Sequence, residues 1–110
     1  MTKISDATFK GRSGVEYTFE VYDSQTSFNE GSAIYIFTLR TVTGTKGEHR
    51  LLYIGESAQL GTRIASHEKW SCVTKHGCNC ICVLIVSNDE RRKAIEQDLR
   101  SGNQTPCNDQ

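Results

Sequence analysis

Two apolar, β-branched and aromatic segments constrain this chain most: SAIYIFTLR (residues 32–40) and RLLYIG (residues 50–55), separated by TVTGTKGEH with its two glycines. Strands joined by so short a connection pair antiparallel. A turn centred near Gly44 predicts that residues whose numbers sum to about 88 face each other. That register sets Tyr35 opposite Tyr53, on one sheet face, at the end away from the turn. GVEYTFEVYD (residues 14–23) alternates as an opening strand, and CNCICVLIV (residues 78–86) reads as a third core strand.

Between Gly55 and the third core strand, SAQLGTRIASHEKW predicts a helix capped by Ser57 or Thr62, with Leu60 and Ile64 inward and an end near Trp70. Gly61 weakens its first turn. Arg63 and His67, four residues apart, share a face beside that apolar stripe and so rim the core. SNDERRKAIEQDLRSG predicts a second helix with cap candidates Asn88 and Asp89, inward Ile95 and Leu99, and a stop at Gly102. Glu96 lies beside its stripe, with Arg92 and Arg100 at i−4 and i+4 as ion-pair partners. The fold class is α/β (α+β): a central three-stranded antiparallel sheet flanked by helices, with an extra N-terminal strand. The 110 residues make one domain.

The formal net charge is zero, against coating nucleic acid through bulk charge, although residues 63–76 carry Arg63, Lys69 and Lys75 against Glu68. No apolar run is long enough to span a membrane, and MTKISDATFK lacks a signal peptide's hydrophobic stretch. The expected location is cytoplasmic, with no membrane association. Five cysteines (Cys72, Cys78, Cys80, Cys82 and Cys107) are then expected as reduced thiols. With His76 they invite a zinc reading, but Cys80 and Cys82 alternate along a strand and point to one face, so buried thiols are the better expectation.

AIYIF, then LYIG, then Arg-x-x-x-His, then a Glu-bearing helix, then P-C-N resembles the GIY-YIG nuclease family over about residues 32–108. Ala33 stands where the name-giving tripeptide has its first glycine. The resemblance implies a divalent-metal-dependent endonuclease using Mg2+ or Mn2+, acting on nucleic acid, DNA in preference to RNA. It assigns Tyr35, Tyr53, Arg63, His67, Glu96 and Asn108 to catalysis and Glu96 to the metal. Gly55, Arg63 and Lys69 are expected to bind substrate. In this scheme Tyr35 deprotonates water while His67 accepts its proton, Tyr53 bonds substrate or water, and Asn108 helps position the metal site. Magnesium is commonly held by one or two carboxylates plus substrate oxygens, so one glutamate suffices. Target choice falls to a second copy, a partner protein, or the N-terminal strand and the 71–79 loop. Two rival expectations are a domain of this fold that binds nucleic acid without cutting, and a zinc-stabilised interaction domain.

Overall fold

CICVLI is apolar on both sides of the strand, and such a segment is stable only with both faces covered. A computed structural model, describing residues 3–108, places it at the centre of a five-stranded antiparallel sheet in the order β1-β2-β5-β3-β4. The strands are β1 (Ser5–Lys10), β2 (Glu16–Asp23), β3 (Ala33–Thr43), β4 (Lys46–Ser57) and β5 (Cys80–Ile85). The helices are α1 (Leu60–Ala65), α2 (Trp70–Lys75) and α3 (Asp89–Gly102). Cys80 and Cys82 join Phe9, Phe19, Val21, Ile34, Ile36, Ile54, Ile95 and Leu99 in the core beneath α3. Ile81 and Val83 point the other way, into the core that Leu60, Ile64 and Val73 of α1 and α2 close. No helix among the described residues is long and apolar enough to cross a membrane.

The mixed α+β class and the antiparallel β3, β4 and β5 match the expectation, and two details of the sheet differ. The sheet has a fifth strand, β1, pairing with β2 from Ser5↔Val21 to Lys10↔Glu16. Its alternation is weak because it is an edge strand on which only Phe9 is buried. The hairpin register differs as well: Tyr35 faces Gly55, and Phe37 faces Tyr53. The pairs sum to 90 near Tyr35 and 89 near the turn because Leu52 is an extra residue, a β-bulge. The shift at Tyr35 is an even number of residues, so both tyrosines keep their common face. Leu52 and Tyr53, adjacent in sequence, pack into the same core because of the bulge.

The helix expected to run to near Trp70 stops at Ala65, and a second one, α2, covers residues expected as a loop, with residues 66–69 between the two. Neither Ser57 nor Thr62 caps α1: Ser57 Oγ accepts the Gln59 amide, and Thr62 lies within the helix. Glu30 supplies the missing acceptors by binding both the amide and the hydroxyl of Thr62. Gly61 is what lets this loop approach, since a Cβ there would lie 2.4 Å from the Phe28 carbonyl oxygen. Asn88 caps α3 as expected, its Oδ1 accepting the Arg91 amide at 2.8 Å.

Candidate functional site

β3 carries Tyr35 and Phe37 toward α1, and the bulge in β4 brings Tyr53 beside them. Tyr35 and Tyr53 stack with ring centroids 6.1 Å apart. The break after α1 drops His67 onto this aromatic floor, edge-on to Tyr35, Phe37 and Tyr53 at 5.5, 5.0 and 4.8 Å. Trp70 lies 4.7 Å from Phe37 and donates its indole N–H to the Ile64 carbonyl, holding the connection down. His67 therefore does not share a helix face with Arg63, nor does it rim the core. It is buried, at 5% exposure.

Both nitrogens of that ring are committed. The Lys69 amide donates to Nδ1 at 3.0 Å, so Nδ1 bears a lone pair. A neutral imidazole then carries its proton on Nε2, 2.7 Å from the Tyr35 oxygen, and donates it there. Burial, with Arg63 nearby, pulls the His67 pKa down to about 4, which keeps the ring neutral at physiological pH. In this tautomer His67 supports a negative charge on the Tyr35 oxygen and is not placed to take its proton. Tyr35 is itself buried, and burial together with Tyr53 raises its pKa above that of a free phenol, while Arg63 acts in the opposite direction.

Arg63, at the exposed rim of this cluster, is held by Glu68. Nη1 donates to Oε1 at 2.5 Å and Nη2 to Oε2 at 3.1 Å. The guanidinium beside it pulls the Glu68 carboxyl down to about 2. Glu68 was no part of the expected site, because a continuous helix would not have brought it back to Arg63. Gly55 is present for contact, though the contact is internal: a Cβ there would lie 2.6 Å from the phenol carbon of Tyr35 and 2.9 Å from the Tyr53 ring. Lys69 contributes its main-chain amide, and its side chain is half-buried.

Glu96 and Asn108 lie outside this cluster. α3 covers the sheet face of Ile34, Ile36 and Ile54, opposite to the tyrosines. There Glu96, largely buried, accepts from Arg100 at 3.4 Å. Burial raises its pKa, Arg100 opposes the rise, and Glu56 adds to it. Arg92 does not pair with Glu96 as expected. It is buried and donates to Glu56 at 2.7 Å, to Asp89 at 2.7 Å and to the Val86 carbonyl at 3.3 Å. Asn108 is buried against the outer edge of β4, with Oδ1 accepting from the Ile54 amide at 2.8 Å and Nδ2 donating to the Ile54 carbonyl at 2.9 Å. Thr105 also donates to Oδ1 at 2.6 Å, so the side-chain amide pins the C-terminal segment to β4 like one residue of an added strand.

The cysteines depart from the expectation of reduced thiols throughout. Cys72 and Cys107 form a disulfide, while Cys78, Cys80 and Cys82 are free. Spacing gave no sign of the bond, because Cys107 is brought to α2 by the run along β4, where its amide donates to Leu52. Burial pushes the Cys82 thiol up to about 12 and the Cys78 thiol to about 11, which leaves both unreactive as nucleophiles. Comparison of the chain with family models, curated proteins and solved structures gives no match.

Proposed function

We propose that this protein is a divalent-metal-dependent endonuclease of the GIY-YIG kind, hydrolysing phosphodiester bonds in nucleic acid, with DNA favoured over RNA. One observation carries the reading: an imidazole N–H is aimed at the phenol oxygen of Tyr35, with Tyr53 stacked on it and Arg63 at the rim. The His67 N–H and the Arg63 guanidinium favour a negative phenol oxygen while burial and Tyr53 oppose it, and a tyrosinate, once formed, is a base strong enough to take a proton from water. His67 already donates into the phenol oxygen, so it is not the group that takes the Tyr35 proton. Phosphate binding at the rim exchanges Glu68 for substrate on the Arg63 guanidinium, which matches an anion's geometry with two parallel donors. Arg63 then offsets the charge that grows on the non-bridging oxygens.

Glu96 fits the role of holding the cation. It is a largely buried carboxylate whose neutral form burial and Glu56 favour, so a nearby dication would restore its charge. Held by Glu96, Mg2+ or Mn2+ would supply Lewis acidity for phosphodiester hydrolysis. Tyr35 and Glu96 lie on opposite faces of the sheet, but β4, which runs between them, is its edge strand. The C-terminal segment already occupies that edge at Leu52 and Ile54, so a nucleic-acid backbone would have to reach the two faces past Gly55, beyond the clamped residues.

A second reading rests on the burial of Tyr35, the Arg63–Glu68 pair and the Arg100–Glu96 pair: a domain that binds nucleic acid without cutting it. A plasmid-nicking assay with Mg2+ or Mn2+, with and without EDTA, separates the two. The nuclease reading expects EDTA-sensitive nicking that Tyr35→Phe, Arg63→Ala and Glu96→Ala each reduce by about 100-fold or more. Absence of metal-dependent cutting across a panel of single- and double-stranded DNA and RNA, with binding retained, would establish the second reading instead.

A further inference from the structure

Three metal-ligating side chains meet where α2 ends, and the proposed hydrolysis uses none of them. Cys72 and His76 stand one helical turn apart, which puts them on the same side of α2. The C-terminal segment brings Cys107 to the same place. Its amide donates to the Leu52 carbonyl, and Asn108 clamps Ile54. The Cys72 and Cys107 sulfurs and a His76 ring nitrogen all lie within 4.8 Å of one another. Cys107 Sγ is 3.8 Å from His76 Nδ1, while the two sulfurs are joined to each other.

We propose that the reduced protein binds one Zn2+ through Cys72, His76 and Cys107, the ion replacing the disulfide as the link between α2 and the C-terminal segment. Two thiolates and an imidazole are a soft donor set that suits zinc and does not suit magnesium. Zn–S bonds of about 2.3 Å and Zn–N bonds of about 2.0 Å in a tetrahedron place neighbouring ligand atoms roughly 3.5–3.8 Å apart. The Cys107-to-His76 separation of 3.8 Å already has that value, and the two sulfurs reach it once their bond is opened. With three protein ligands the fourth position is left to water.

The chemistry balances as two steps. A phosphine reductant supplies two electrons to the disulfide and becomes a phosphine oxide with oxygen from water, and the two sulfurs take up protons as thiols. Zinc binding then releases both thiol protons. The His76 ring proton, which Nδ1 now directs to the Cys72 carbonyl at 3.0 Å, moves to Nε2 so that Nδ1 is free to ligate. The other cysteines do not compete: Cys80 and Cys82 are buried beneath α3, and Cys78 Sγ is turned toward the Cys80 carbonyl. Disulfide and zinc thus exclude each other, while either one keeps the tail, and with it Asn108, on β4.

The test is a Co2+ titration of the full chain after phosphine reduction and removal of the reductant, followed by competition with Zn2+. The expected result is one equivalent of Co2+ with a thiolate-to-cobalt charge-transfer band, displaced by Zn2+, and no band from the oxidised protein. Cys78→Ser should leave the band unchanged. His76→Ala keeps both cysteines, and its oxidised form serves as a folded reference. After reduction its affinity should be lower by about tenfold or more, the scale on which metal sites lose affinity when their shell is damaged. No charge-transfer band in the reduced wild type overturns the proposal. So does a band that survives His76→Ala with undiminished affinity, or one lost on Cys78→Ser.

Discussion

The Lys69 main-chain amide fixes which proton His67 offers to Tyr35. By donating to Nδ1 at 3.0 Å it leaves the imidazole proton on Nε2, 2.7 Å from the phenol oxygen. Long-range 15N–1H correlation spectra at pH 7 should therefore show a neutral His67 with its proton on Nε2. A proton on Nδ1 would remove the donor that the proposed tyrosinate depends on.

The same burial makes His67 a source of acid sensitivity. In the unfolded chain it titrates near pH 6.5, whereas in the folded protein its pKa is about 4. As the pH falls through this window the unfolded state takes up the proton first, so the contribution to stability is complete above about 6.5 and is lost progressively toward 4. The loss is at most about 3 kcal/mol, since one pKa unit is worth about 1.4 kcal/mol. Urea unfolding at pH 7 and pH 4.5 should show a larger drop for the wild type than for His67→Gln, and equal drops would show that the ring is not held neutral.

Glu68 occupies the guanidinium that a phosphate would need. The Glu68 side chain is 60% exposed, so an incoming anion is able to displace it at modest cost. Glu68→Gln should tighten nucleic-acid binding by roughly three- to tenfold, the scale of one exposed charge pair. Fluorescence anisotropy at two salt concentrations measures it. Unchanged affinity in the variant, together with a loss in Arg63→Ala, would place the Arg63 contact with substrate somewhere Glu68 does not block.

Gly55 should tolerate no side chain. Gly55→Ala forces the Tyr35 and Tyr53 rings to move from positions 2.6 and 2.9 Å from the new carbon. Overpacking of this kind costs about 1–3 kcal/mol. Denaturant midpoints together with the Tyr35–His67 nuclear Overhauser contacts should show lower stability and a disturbed pair. A variant with wild-type stability and intact contacts would contradict the packing described.

Arg92, by contrast, is a structural cation. Its buried guanidinium joins α3 to β4 through Glu56, and Arg92→Ala should destabilise by about 3–5 kcal/mol because it strands Glu56. Arg92→Met fills the same volume, and Arg92→Met/Glu56→Leu should recover much of the loss. Equilibrium unfolding of the single and double variants gives the coupling directly.

Much of this was legible in the residues. Alternation found β2, β3, β4 and β5, and the Asn88 cap and Ile95/Leu99 spacing found α3. β1 escaped because an edge strand with one buried residue carries little periodicity. The helix break at residues 66–69 escaped because i, i+4 spacing favours continuing a helix, while the pull of the aromatic floor on His67 is a tertiary effect. For the candidate site, the common face of Tyr35 and Tyr53 survived an error of register since that error was even. The separation of Glu96 from the tyrosines was not readable, because motif order along a chain does not state which side of a sheet each helix covers. The same holds for Cys107, whose neighbours depend on hydrogen bonds along β4.

The bulge at Leu52 divides the β3–β4 hairpin into two lengths with separate obligations. On the Tyr35 side residues 33–37 of β3 are all buried in the two cores, whereas residues 41–48, beyond Arg40, are exposed. Paired insertions or deletions in that outer arm would leave the phase of the inner pairs untouched. The arm is therefore a part whose reach can be lengthened, shortened or replaced by a grafted loop without retuning the tyrosines at its base.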